Sequence, residues 1–220
     1  LSGERTAFAL LLIFSILIFF SCKNLRKYFL LSFLGAAIAL TTISQFHPKI
    51  KYRMFDSVIN QLGLHAKSER IVIFSPIYED HYKIAINMFK EKPILGHGVK
   101  MFRVYCQKPE NYDAENACTT HPHNVYMQFL AETGILGFFY LLSVFFVISY
   151  FILKNIYFSL FKGTQFISDH KVCILIFYFV TLFPLVPSGN FFNNWLSIIY
   201  YLPAGYLLYL NNNDLKQNEL

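Results

Sequence analysis

Charge is what this sequence has least of. Only 15% of its 220 residues are Asp, Glu, Lys or Arg, against about 25% in an average soluble domain. Hydrophobic residues make up 55% of the chain, and Phe and Tyr number 25 and 15, as in chains with interfacial aromatic belts. A soluble globular class is excluded and an integral membrane protein is implied. The net charge of +6 could suggest nucleic acid, but the basic residues sit in loops beside hydrophobic runs, as the positive-inside bias produces. No nucleic-acid partner is expected. The runs themselves carry almost no ionisable residues, which argues against a transporter or flippase with charges at midplane depth. The first run has no small-x-small cleavage site behind it, and Glu4 precedes Arg5, so a signal peptide is disfavoured. A chain that opens at Leu1 on an apolar run reads as the C-terminal part of a longer one.

What is present is a series of apolar segments. A bilayer core needs roughly 20 apolar residues in a helix. Five segments meet or approach this: Thr6–Ser21, Tyr28–Phe46, about Phe129 to Leu153, Val172–Val186 and Trp195–Leu210. Lys23, Arg26 and Lys27 follow the first, and Lys154, Lys162 and Lys171 lie between the third and fourth. SGNFFNN, residues 188–194, carries no charge. The Lys-rich loops are therefore cytoplasmic, and residues 1–5, the long segment from His47 to Pro122 and SGNFFNN share the outer face. The expected fold is all-α: two transmembrane helices in 1–46, an outer cap in 47–122, three transmembrane helices in 123–210 and a polar, structureless cytoplasmic tail in 211–220. The cap holds an amphipathic helical pattern, SERIVIFSPIYEDHYKIAINMFKEK, broken by PILGHG.

Candidate chemistry gathers on that outer face. Arg5 stands at the mouth of the first span, where an interfacial Arg that snorkels to headgroups is the plainer reading. Arg70 opens the helical pattern of the cap, where it could equally be a solvated partner of Glu69. His123 precedes the third span and is followed by Asn124. A helix N-terminus has unpaired N–H groups and a positive dipole end, which keeps an imidazole neutral and able to accept a proton. A His in a wet rim is the alternative. Asn124 suits an N-cap. Glu132 is costly at membrane depth unless paired, and a local partner on the outer face is expected, with an Arg as one candidate. Gly134 and Gly137 lie three apart, as small residues do where helices pack closely in lipid. His121 is a supporting neighbour without an assigned role.

Of the four cysteines, Cys106 and Cys118 fall in the cap, twelve residues apart. An oxidising compartment would let them pair. A metal site is the rival, since Cys118, His121 and His123 are ligand-like, and two free thiols are the third reading. A His base, two arginines and an Asn at one membrane surface suit transfer from a lipid-linked diphosphate. The arginines would neutralise the leaving group by forked hydrogen bonds, and the His would take a proton from an acceptor hydroxyl. The cap has no acidic DxD cluster to hold a divalent cation, so chemistry without metal or cofactor is expected.

The stretch HNVYMQFLAETGILG resembles the signature of the O-antigen ligase and polymerase-like membrane family. In that signature a His is followed by Asn, Ser or Gln, nine residues, a Gly, two residues, and a Gly, Thr or Tyr. KEKPILGHGVKMF and LSGERTAF are similar to two further segments of the same family. The resemblance implies a multi-helix bundle of the GT-C-like glycosyltransferase kind, here a fragment lying in the bacterial inner membrane with a periplasmic active face. It implies transfer of a glycan from undecaprenyl diphosphate to lipid A–core or another glycan acceptor. It places the base on His123 and the diphosphate-binding arginines on Arg5 and Arg70. Polymerases and protein oligosaccharyltransferases of similar motif remain alternatives to a ligase.

Overall fold

The computed structural model describes residues 5–46, 52, 76–108 and 118–218, and divides the chain into two compact units, Leu1–Ser75 and Pro76–Leu220. The described residues form helices and turns, with no strand among them.

The first unit contains a helical hairpin. α1 (Arg5–Ser21) and α2 (Arg26–Phe46) are apolar on all sides and are joined by a tight turn at Lys23–Leu25. Helices apolar all round are built for a protein core or for lipid, and here Leu31 and Ile38 are largely exposed. The turn closes on the buried Ile18, Ser21 and Cys22. Arg26 donates from Nε to the Phe19 carbonyl at 2.8 Å and from its terminal nitrogen to Phe20 at 3.3 Å. It thereby satisfies carbonyls that the end of α1 leaves without partners. Hydroxyls within the apolar helices are satisfied locally, as Thr42 donates to Ile38 O and Ser15 to Leu11 O.

The second unit is built on α5 (Val125–Tyr157), a helix of 33 residues. α3 (Pro76–Glu91) starts with a proline, whose missing N–H costs nothing in a first turn. It buries His81, Ile84, Ala85 and Met88, a stripe of helical spacing. With Phe102 and Tyr105 of the short α4 (Phe102–Tyr105) and Ala131 of α5, that stripe forms a small core. α6 (Asp169–Thr181) and α7 (Asn194–Asn218) complete the unit. The far end of α5 is fastened by the buried Asn155, whose Oδ1 accepts from Phe166 N and Ile167 N at 3.1 and 3.0 Å.

Of the five expected spans, two lie in helices long and apolar enough to cross a membrane, at Lys23–Ile43 and Val125–Lys162. Ala9–Ser21 is a shorter apolar helix. α6 has 13 residues, fewer than expected, because Pro184 disfavours helical backbone at the residue before it and the chain turns away after Thr181. α7 runs through residues expected as a structureless tail and reaches Asn218. A helix already nucleated propagates at the cost of one residue per hydrogen bond, even into polar sequence.

Candidate functional site

The site is set by a break in α5. Gly134 has φ 69° and ψ −163°, inside a helix that otherwise continues on both sides. That region of backbone space belongs essentially to glycine. The broken turn frees backbone groups, and PILGHG takes them. His97 N and Gly98 N donate to Ala131 O and Glu132 O at 3.1 and 2.9 Å, and Ile135 N donates to Pro93 O at 2.8 Å. A Cβ on Gly134 would overlap the Ile94 carbonyl, and one on Gly96 would overlap the Glu132 backbone. The two backbones touch because neither residue has a side chain. Irregular backbone within an apolar helix persists where protein satisfies it, as it does here.

The glycines of the motif therefore do different work from the expected helix packing. Gly134 receives a loop, and the space beside Gly137 is filled by Thr133 and Phe129 of its own helix. Glu132 has the partners that its burial requires. It accepts from the Phe102 N–H at 3.1 Å and from Gln128 Nε2 at 3.0 Å, a backbone amide and a side-chain amide and not the candidate Arg. Gln128 extends the network, donating to Asn190 Oδ1 at 2.8 Å and accepting from Phe191 N at 3.0 Å. Buried polar groups are tolerated in this way when each member is bonded.

The same residues 182–193 wrap the start of α5. Asn124 is the N-cap, its Oδ1 accepting from Tyr126 N and Met127 N at 3.0 and 3.1 Å. Its amide group donates to Pro184 O at 2.7 Å, and Tyr126 donates its hydroxyl to Leu182 O at 2.8 Å. Ser188 N donates to His123 O at 2.9 Å. Asn124→Asp should keep the cap but lose the bond to Pro184, whereas Asn124→Ala loses both. Alanine at an N-cap costs about 1 kcal/mol, so thermal unfolding in detergent should rank wild type, Asp, then Ala. An Ala variant as stable as wild type would contradict the capping role.

The two histidines of the loop are not equivalent. His121 is buried, and its ring nitrogens meet the Thr120 hydroxyl at 3.0 Å and Ser188 O at 3.1 Å. A carbonyl only accepts, so Nε2 carries the proton and Nδ1 accepts from Thr120. Burial pulls the His121 pKa down, with His81 and Arg103 acting in the same direction and the Ser188 bond opposing. His121 is thus committed to holding the loop.

His123 is half-buried, and its φ of 54° is uncommon for a residue with a side chain. Its imidazole lies against other rings. The centroid of His121 lies at 4.3 Å, that of His81 at 5.3 Å and that of Tyr78 at 5.5 Å. Burial, then His121 and His81, lower its pKa to about 4. At neutral pH the imidazole is unprotonated and able to accept a proton.

Cys106 and Cys118 are joined by a disulfide. Cys118 Sγ is then not available as the thiolate of a Cys-His metal site. The bond ties the end of α4 to the loop leading into His121, and closing a loop of this size contributes up to ~3 kcal/mol in the chain-entropy account. Cys22 and Cys173 are outside any disulfide. Arg5 is the first residue of α1, and the described geometry of that residue is backbone only. Arg70 lies outside the described residues. Residues that sequence reasoning missed are Tyr78, His81, Gln128, Ser188, Asn190 and Arg103. A histidine on the apolar stripe of α3 was the one signal that could have drawn attention to His81.

The described residues thus form an all-helical protein with two helices long and apolar enough to cross a membrane, and with a cluster of three histidines just before the longer of them. The family described as O-antigen ligase matches residues 1–142, and the chain belongs to it. The match covers every residue of the His loop and ends within α5. No curated protein and no solved structure matches the chain. The family is one of glycosyl-transfer enzymes of lipopolysaccharide biosynthesis, working on lipid-linked glycans and glycan acceptors.

Proposed function

We propose that the protein is a ligase-type glycosyltransferase, moving a glycan from undecaprenyl diphosphate to lipid A–core. His123 is the general base. It takes the proton of the acceptor hydroxyl as the new glycosidic bond forms and the diphosphate leaves with the electrons of the broken bond. Arg5 and Arg70 bind that diphosphate, doing by fixed charge what a metal ion does elsewhere. The chain passes the inner membrane several times, with α6 and α7 among its spans, and the His loop faces the periplasm. The observation that carries this reading is the half-buried His123 ring, held against His81, His121 and Tyr78 just before α5 and inside the region that matches the family.

Deletion of the gene and analysis of lipopolysaccharide by gel test the reading. The expected outcome is loss of every long chain attached to core, with lipid-linked polymer retained. Attachment of single repeats would instead mark a polymerase, and unchanged ladders would remove the protein from this pathway.

A further inference from the structure

His81 lies more than 40 positions before His123 in the chain, yet the two rings meet. Their centroids are 5.3 Å apart and their planes 29° from parallel, an offset stack. His81 is 3% exposed, on the stripe of α3 that also buries Ile84, Ala85 and Met88. A histidine in such a stripe is costly to bury, and an apolar residue would pack there more cheaply. Tyr78, one turn earlier on α3, touches both rings, with centroids 6.3 Å from His81 and 5.5 Å from His123. A general base is ordinarily oriented by a third group. Around His123 the orienting contacts are ring faces.

We propose that His81 is a positioning residue for His123, fixing the plane of its imidazole by stacking. The proposal rests on His123 being the base. It has a physical basis in two effects. The His123 side chain leaves a backbone at φ 54° and lies against the rings of His81, His121 and Tyr78, which fix where its imidazole can sit. Two imidazoles in ring contact also resist being charged together, because like charges disfavour one another at close range. Among the described residues, the titratable and charged groups around His123 are Tyr78 and His81 from α3 and His121 from its own loop, with Tyr82 of α3 bonded to the neighbouring Asn124 and Arg103 of α4 acting through His121. Asp80, beside His81 in sequence, is paired with Lys83 at 3.0 Å on the same helix.

The test measures transfer from an undecaprenyl-diphosphate-linked glycan in membranes carrying the full chain, as a function of pH. His81→Ala should lower kcat by roughly 10-fold to 100-fold, the scale of a misplaced catalytic group, with KM for the donor unchanged. His81→Phe restores a ring of similar shape and should recover most of kcat, while its acid limb moves upward because the second ionisable ring is gone. Wild-type kcat in His81→Ala overturns the proposal, and so does a defect confined to KM. A His81→Phe enzyme as slow as His81→Ala, or one with an unmoved acid limb, overturns it equally. If His81→Ala does not accumulate in the membrane, the acid limb of His81→Phe decides alone. His123→Ala, run alongside, separates the two claims. Loss of transfer there with normal His81 variants sinks only the positioning role, and full activity in His123→Ala sinks the base as well.

Discussion

The His123→Ala variant is expected to reach the membrane at wild-type level and to transfer glycan roughly 10²–10⁴ times more slowly, the contribution of a positioned general base. The side chain is half-buried and contacts rings, so its loss opens little core. The cap of α5 is held by Asn124 and the disulfide by Cys106 and Cys118, and none of these needs the imidazole. The pH dependence follows from the lowered pKa. His123 has a folded value of about 4, below the ordinary imidazole value of about 6.5. The base form therefore persists through mildly acidic pH, and the acid limb should fall well below the ordinary value. Stability carries the same sign. The native state binds fewer protons than the unfolded chain between these two values, so the contribution is fully present above the upper one. It is lost as pH falls toward the lower one. A transfer rate that halves near the ordinary imidazole value would show that the ring titrates as if exposed.

Gly134→Ala is the second large effect. The backbone conformation alone costs about 1–3 kcal/mol for any residue with a side chain, and the added methyl meets the Ile94 carbonyl and the Gly96 nitrogen, which are backbone and cannot swing aside. The cheapest relief is to lift PILGHG off α5. That would release the bonds to Ala131 O, Glu132 O and Ile135 N together. Gly96→Ala should act alike, since its methyl meets the Glu132 backbone from the other side. Gly137→Ala meets only side-chain atoms of Thr133 and Phe129, and should cost less. Thermal unfolding in detergent, with protease cleavage of the 92–108 region as a local readout, distinguishes these cases. If Gly134→Ala unfolds at the wild-type temperature and resists cleavage equally, the backbone crossing is not holding the site.

The helical hairpin, the long apolar helix and the amphipathic cap helix were legible in the sequence because each follows from spacing within one segment. Asn124 before a run of apolar residues reads as an N-cap for the same reason. The Gly134 and Gly137 spacing was legible too, but its meaning was not. Two glycines three apart suggest helix packing, whereas one of them breaks the helix to admit a loop from forty residues upstream. Glu132 called for a partner, and the sequence could offer an Arg only as a candidate. The partners are a backbone N–H thirty residues earlier and an amide one turn away.

Taken alone, the sequence determined a membrane class, an all-helical fold and a histidine at the entry of the long apolar helix. Charge scarcity and hydrophobic spacing are local properties, and they suffice for that. Only tertiary structure decided which groups surround the histidine. Gln128 meets Asn190 across 62 positions, and His121 meets Ser188 across 67. Such bonds depend on how segments meet after each has formed, and no periodicity within a segment encodes them. The neutral state of His123 is of this kind, since burial and two neighbouring imidazoles produce it, one of them from a helix distant in the chain.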